Sequence, residues 1–472
     1  MTQAPQSSAR PAPPVEVSAP VIGFATYDDA LAHLMNRVNV ERVAPASVDP
    51  HVFKLDRMRA LMSELGNPHE SFKSVHVAGS KGKGSVCEMT AAALSGCGLT
   101  TGIYTSPHLI DVRERVRIGR DWIAQEDFRS VAEKVARAAY SLVPLYGEAT
   151  YFEVITAIAF LYFAEQAVDV AVIEVGLGGR LDSTNIITPC LSIITAIQLE
   201  HTDLLGTTLE AISREKAGII KPGVPAVTIA QDEGVERVFR EVAQVQGSTL
   251  KVLGKDIEFS FRMEFSPEEG QHARVNVTTP QSTFEHVPVP LKGEHQAVNC
   301  GLVLAAIDEL RAQGMKLGER EISAGLAKTH APGRLERIHD SPRIYVDGAH
   351  NPESIACLIK ALGAHVRYDS LVVIFGCARD KDVKGMLAKM AGGADKVIFT
   401  KAEGNARAAD PKDLQRKFAE AGGTASQVAP CVKDALNLAS RAVTNGDVIV
   451  VTGSFYVAGE AKRLLQERYG KK

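Results

Sequence analysis

Gly79-Ser80-Lys81-Gly82-Lys83-Gly84-Ser85 is the stretch on which the reading of the fold turns. It follows an apolar run of strand length, residues 74–78, and opens a helical stretch of small and apolar residues, 86–94. A glycine-rich turn between a strand and a helix is what a phosphate loop needs. Backbone N–H groups at a helix N-terminus face an anion, and the helix dipole favours its charge. Glycines let the backbone come close, Lys83 can reach terminal phosphates, and Ser85 can support them or a metal ion. The strict pattern G-x-x-x-x-G-K-[ST] asks for Gly at 77 and Ser or Thr at 84, where the chain has Val77 and Gly84. The plainer alternative is a flexible glycine turn with exposed lysines.

Outward from this loop, strand–turn–helix units recur. Residues 171–175 and 192–197 are continuous apolar runs rich in Val and Ile, as in strands buried on both faces. Helices are expected at 208–217 and 234–245 with a strand at 226–229 between them, and two more helices before the loop, one through Leu31, Leu34, Met35 and Val38 and one over 53–65. Near Lys255 the pattern changes. Residues 257–265, 273–278 and 282–289 read as a small antiparallel insertion, followed by helices at 295–311 and 321–328. Ala331-Pro332-Gly333 is a breaker cluster and a plausible boundary. Beyond it, strands at 343–346, 371–375, 396–400 and 448–452 alternate with helices at 352–362, 383–390, 411–421 and 432–442. The expected fold is α/β. A P-loop ATP-binding domain over 21–330, with a mostly parallel sheet and the antiparallel insertion, precedes a Rossmann-like domain over 331–472.

Two further signals sit at strand ends, where open α/β sheets bind ligands. Glu174 closes an apolar strand ahead of Val175-Gly176-Leu177-Gly178-Gly179-Arg180, and a carboxylate there suits a Mg²⁺ ligand beside phosphates. An edge glutamate paired with Arg180 is the alternative. His201, in Glu200-His201-Thr202-Asp203, could bind metal or act as a base, although a lone histidine is usually neither.

A chain of 472 residues is long for one core, which agrees with two domains. Its 53 basic and 56 acidic residues nearly cancel and no basic run stands out, so no nucleic-acid partner is expected. The seven cysteines are scattered, odd in number and without a CxxC pair. A disulfide framework or zinc site is not expected, and a reducing, cytoplasmic setting fits. The first 20 residues, rich in Pro, Ala, Ser and Gln, read as a disordered tail without the apolar run of a secretory signal. No apolar stretch reaches the ~18 residues of a membrane span.

Together the motifs resemble the folylpolyglutamate synthase/dihydrofolate synthase family of the Mur ligase superfamily. The matching stretches are GSKGKGS at 79–85, YTSPHL at 104–109, ERVRI at 114–118, EVGLGGRLDSTN at 174–185, EHTDLLG at 200–206, EKAGIIKPG at 215–223, HQAVN at 295–299, PGRLE at 332–336, DGAHNP at 347–352 and TGSFYVAGE at 452–460. They span most of the chain in the family's order. The resemblance implies ATP-dependent addition of L-glutamate to folates, and to dihydropteroate as a further acceptor, through an acyl phosphate. It implies ATP contacts at Gly82, Lys83, Gly84, Ser85, Asn299, Arg334 and Asp347, and two Mg²⁺ ions on Ser106, Glu174, His201 and Lys216. Lys216 matches the lysine that is carbamylated in this family, giving an N6-carboxylysine; an unmodified surface helix lysine is the other reading. Thr150, Tyr151, Phe152, Glu153, Leu181, Asp182 and Ser183 match the pterin side. His350 lies in the motif facing the glutamate crevice, and Lys83, Lys216 and His350 are the expected catalytic groups. A monomer is implied, with small molecules as its partners. Two departures stand out. Ser80-Lys81 replaces the Thr-Asn of many bacterial relatives, and residues 49–54 differ from the pattern near the pterin, which leaves dihydropteroate open. The competing readings are a Mur-type ligase acting on a UDP-linked muramyl peptide and a nucleotide-binding regulatory protein that has lost catalysis. The folate branch fits TSPHL, ERVRI and DGAHNP better, and the intact Lys83, Glu174, His201 and Lys216 speak against lost catalysis.

Overall fold

Strands that are apolar along their whole length must be covered on both sides, and the computed structural model covers them. It describes residues 22–39, 55–266 and 270–469. The expected tail, the segment 49–54 and the start of the second helix at 53 lie outside the described residues. Strands β1 (Lys73–Ala78), β2 (Thr101–Tyr104), β3 (Val116–Ile118), β4 (Asp121–Trp122), β5 (Val170–Glu174), β6 (Leu191–Ile194), β7 (Ala226–Ile229) and β8 (Leu250–Leu253) form one sheet in the order β4-β3-β2-β5-β1-β6-β7-β8. β3 and β4 are antiparallel at one edge; the other neighbours pair in parallel. In the centre, Val75 lies between Val172 and Leu191, all three fully buried. Each such side chain contributes roughly 1.5–3 kcal/mol by leaving water. The helices Lys83–Gly96 and Glu294–Ala312 cover one face, and Gln125–Tyr146 and Tyr151–Glu165 cover the other.

β9 (Glu258–Ser266), β10 (Gly270–Thr278) and β11 (Thr283–Pro288) form the expected antiparallel insertion. β12 (Glu336–Asp340), β13 (Arg343–Val346), β14 (Leu371–Phe375), β15 (Lys396–Phe399), β16 (Ser426–Val428) and β17 (Val448–Thr452) make a second sheet, ordered β12-β13-β17-β14-β15-β16 and parallel except for β12. Two hydrophobic clusters fill its two faces.

Two departures from the sequence reading bear on the site. The strand expected over 192–197 stops at Ile194. Thr195 N–H still bonds Ala78 O, but Ala196 O then accepts from Ser80 N and Lys81 N at 2.8 and 3.1 Å. The chain leaves the sheet to brace the glycine loop. The helix expected from 86 starts at Lys83, with Gly82 as its N-cap. Gly84 and Ser85 therefore fall in the first turn, where backbone N–H groups lack helical acceptors.

The lobes meet at His365, the last residue of the helix Pro352–His365. Its Nδ1 donates to Gln271 O at 2.6 Å, and its Nε2 accepts from Gly293 N at 3.1 Å. Only a neutral ring can do both. Burial lowers its pKa; Lys292 and His272 act in the same sense, against the bond to Gln271 O. A histidine with a folded pKa below its unfolded value stabilises fully above the unfolded value, about 6.5. That contribution is lost as pH falls through the folded value. We expect the melting temperature to drop between pH of about 7 and about 5, and to drop less in His365→Gln, which keeps a donor and an acceptor but cannot titrate. Equal slopes in thermal melts of the two proteins would count against this.

Candidate active site

The carboxyl ends of β1, β5 and β6 open toward the loops that follow β13 and β17, and a cavity of about 640 Å³ lies between them. This is the crevice position expected for open α/β sheets. Every site residue named from the sequence lines it, except Lys216.

The loop's glycines are set by close neighbours. Gly79 has φ +144°, and a Cβ there would fall 1.8 Å from Thr195 Oγ1. Gly82 has φ +93°, and its Cβ would fall 2.6 Å from Asn299 Oδ1. Only glycine takes these angles without strain. Asn299 Nδ2 donates to Gln296 Oε1, and Gln296 Nε2 donates to Ser85 Oγ at 3.2 Å. The first two turns of the helix Glu294–Ala312 thus brace the loop from one side. Lys83 Nζ folds back onto Gly79 O at 2.9 Å.

Lys216 lies behind the loop rather than in the cavity wall. It is 2% exposed, and its Nζ donates to the same Gly79 O at 2.9 Å and to Glu200 Oε1 at 2.7 Å. The surface-lysine reading therefore does not hold. Burial, with Lys83 beside it, lowers the Lys216 pKa against the pull of Glu200. For Glu200, burial works against the charge, but Lys216 and Lys83 outweigh it and hold the carboxyl below the usual range.

Glu174 ends β5 buried, with Oε2 accepting from Ser106 N at 3.0 Å. Both its oxygens lie 3.9 Å from where a Cβ on Gly84 would sit, and an Arg334 guanidinium nitrogen lies 3.6 Å from that point. A carboxylate from the first lobe and an arginine from the segment leading into the second sheet thus meet over the phosphate loop. The alternative reading, Glu174 paired with Arg180, does not hold: Arg180 bonds Glu215 at 2.9 Å. Burial raises the Glu174 pKa, against Lys83, the Ser106 N–H and Arg334. His201 takes a left-handed conformation, φ 47° and ψ 40°, ahead of a four-residue helical turn. The surrounding walls, with Lys381, Lys216 and Lys83, push its imidazole down to about 4 against the pull of Glu200. Among the described residues no three His, Cys, Asp or Glu side chains converge as a ready-made metal cage. The carboxylate of Glu174 and the hydroxyls of Ser85 and Ser106 are nevertheless hard oxygen donors of the kind Mg²⁺ takes beside phosphate oxygens.

In the second lobe, Arg334 lies over the Phe455 ring, 5.0 Å from its centroid. Asp347 accepts from Leu335 N at 2.7 Å and from Ala349 N at 2.8 Å, which ties the arginine's turn to the DGAHNP loop. Burial raises the Asp347 pKa, against Arg334. His350 Nδ1 donates to Gly348 O at 2.7 Å. Burial, with Lys81, Lys381 and Arg334 nearby, pushes its ring down to about 3.

On the opposite wall, Thr150 and Glu153 form a capping box that starts the helix Tyr151–Glu165. Glu153 is also bridged by Arg57 at 2.9 Å. Asp182 accepts from Leu177 N and Thr184 N at 2.9 and 3.0 Å and so shapes the loop carrying Leu181 and Ser183. Phe152 packs on Gly176, where a Cβ would fall 2.4 Å from the ring, and Tyr151 lies under Arg115. The sequence reading did not nominate Lys81, Glu200, Arg115 and Lys381, which also line the cavity. Lys81, Arg115 and Glu200 sat inside quoted motifs, but only the fold shows what they face.

Residues 77–307 match the Mur ligase middle domain, and residues 333–455 match the Mur ligase glutamate ligase domain. With the two-lobed cleft, these matches define the class: an ATP-dependent ligase of the Mur type. A dihydrofolate synthase/folylpolyglutamate synthase of Bacillus subtilis is 31% identical over 446 residues, covering 94% of this chain and 100% of the relative. Folylpolyglutamate synthase of Mycobacterium tuberculosis, solved with ADP and AMPPCP, superposes with a TM-score of 0.81 at 32% identity, covering 89% of this chain and 96% of that one. Escherichia coli FolC, solved with DHPP and ADP, gives a TM-score of 0.80 at 29% identity, covering 94% and 98%. The chain belongs to the dihydrofolate synthase/folylpolyglutamate synthase family, as its motifs led us to expect.

Proposed function

We propose that this protein uses ATP to join L-glutamate to the carboxylate of a folate, and of dihydropteroate as a second acceptor. The observation that carries the reading is the meeting of Glu174 and Arg334 over Gly84, in the wall of one cavity that the acceptor-side residues also line. Full-length similarity to a relative named for both synthase activities supports the second acceptor. The division of labour follows the lobes: ATP binding over 21–330, and glutamate ligation over 331–472.

A carboxylate is a poor electrophile because oxide would have to leave. Transfer of the ATP γ-phosphoryl group to it gives an acyl phosphate and ADP. Attack by the glutamate amine then forms the amide and releases phosphate. The protein's task is mostly positioning and charge. Gly82, Gly84 and Ser85 cradle the phosphates through backbone N–H groups at the helix N-terminus, and Asn299 fixes the loop against Gly82. Lys83 exchanges Gly79 O for a phosphate oxygen. Arg334, held by Phe455 and backed by Asp347, reaches the same phosphates from the other lobe. Ser106, Glu174, His201 and a carbamylated Lys216 would hold two Mg²⁺ ions, which supply Lewis-acid charge to the phosphate oxygens when bound. The lowered pKa of Lys216 favours the neutral amine that reaction with CO₂ requires. Thr150, Tyr151, Phe152, Glu153, Leu181, Asp182 and Ser183 form the pterin wall. His350, neutral and donating through Nδ1, presents Nε2 as an acceptor for the incoming amine. So weak a base orients the amine rather than carrying its proton away. Closing the lobes keeps water from the acyl phosphate.

No helix among the described residues is long and apolar enough to cross a membrane. All seven cysteines are free, which supports a reducing, cytoplasmic setting.

The test is ADP release with L-glutamate and, separately, tetrahydrofolate or dihydropteroate, with products read by mass spectrometry. We expect a product one glutamyl unit heavier from each. Release only with a UDP-linked muramyl peptide would overturn the folate assignment.

A further inference from the structure

We propose that Glu114 is a positioning residue, holding residues 106–111 as the joint through which the second lobe is set against the phosphate loop. The inference rests on the ligase reading above and adds a residue that contacts no reacting atom.

Glu114 is 9% exposed, and its side chain is spent on one loop. Its Oε2 accepts from Leu109 N at 2.8 Å, and its Oε1 accepts from Ile110 N at 2.7 Å and Asp111 N at 2.9 Å. Three N–H groups on one buried carboxylate leave this loop a single well-bonded shape. One end of the loop is Ser106, whose N–H bonds Glu174. The middle belongs to the other lobe. Leu109 is a member of the hydrophobic cluster that contains Ile344, Val346, Val457 and Ala461 of the second lobe. A Cβ on Gly459 would fall 1.8 Å from Leu109 O, so the helix Phe455–Tyr469 rests directly on the loop backbone. Leu109 Cδ1 lies 3.4 Å from where a Cβ on Gly333 would sit, one residue before Arg334.

Glu114 is anchored from behind as well. Its carbonyl accepts from Arg117 Nε at 3.1 Å, and Arg117 pairs with Glu88, a buried residue on the helix that begins at the phosphate loop. The path therefore runs from that helix through Arg117 and Glu114 to Leu109, and from Leu109 to the turn carrying Arg334. One end of the path is the helix whose first turn carries Gly84, and the other is the turn whose Arg334 reaches the same Gly84. A small shift of the loop displaces Arg334 from the phosphates while leaving the glycine cradle intact, and misplacement of about 1 Å can cost roughly 10²-fold in rate.

The experiment is a mutant cycle on the full chain with tetrahydrofolate, ATP and L-glutamate. Glu114→Gln keeps the size but turns one acceptor into a donor facing N–H groups. We expect kcat to fall about 10- to 100-fold with KM for ATP within about twofold of wild type. We expect the double variant Glu114→Gln/Arg334→Ala to be no slower than Arg334→Ala alone, because the first change acts through the second residue. Leu109→Ala, which leaves the carboxylate alone, should give the same pattern, and it supplies the comparison if Glu114→Gln does not fold. Multiplicative losses in the double variants, or an unchanged kcat, overturn the inference. A wild-type protein without folate-dependent turnover overturns the ligase reading instead.

Discussion

Replacing Arg334 with alanine should lower kcat by roughly 10²–10³-fold, the range found when one preorganised group facing transition-state charge is removed. The guanidinium is a cation that the second lobe brings to the phosphate loop, 3.6 Å from the Cβ position of Gly84. It is half-buried and lies on Phe455, so its removal opens no core cavity. The melting temperature should move by only a few degrees. Arg334→Lys should recover little, since an ammonium cannot keep both the planar stack on Phe455 and a two-pronged hold on phosphate. Steady-state rates and thermal melts of the two variants check this. Equal losses of stability and activity would reduce Arg334 to a structural role.

Lys216→Met should be inactive for a different reason, and it should also be less stable. The unmodified ammonium shares Gly79 O with Lys83 and is bonded to Glu200. Removing one partner of a buried pair costs on the order of 3–5 kcal/mol. Here it also frees the loop carbonyl that sets Lys83. Carbamylation adds a separate signature. Wild-type turnover should be lower in CO₂-depleted buffer and recover with bicarbonate, while Lys216→Met shows no response. Labelled bicarbonate should give a carbamate resonance in the wild type only. Activity indifferent to CO₂ would leave Lys216 as a structural ammonium.

The sheets were legible wherever strands are apolar throughout. Residues 226–229, 343–346, 371–375 and 448–452 are strands with the ends the sequence suggested. The helix Tyr151–Glu165 was missed because Val154 to Phe163 are buried all round, which erases the 3.6-residue stripe that marks a surface helix. β12 and β16 were missed because edge strands with exposed polar residues carry no apolar alternation. In the site, the loop, Glu174 and His201 could be read from their places after strands. Arg334, Asn299 and Asp347 came only from family likeness, since nothing local in PGRLE or DGAHNP says what they face. The Lys216–Glu200 pair was hidden because both residues lie in motifs read for other chemistry, and the two bond only once Gly79 stands between the segments that carry them.

The bond from Gly293 to His365 has a consequence for binding. Gly293 caps the helix whose first two turns supply Gln296 and Asn299 to the phosphate loop, and His365 belongs to the facing lobe. Nucleotide occupancy and lobe approach therefore act on one lever. By thermodynamic reciprocity, a triphosphate that draws the lobes together must itself be held more tightly, by the same factor, once they have met.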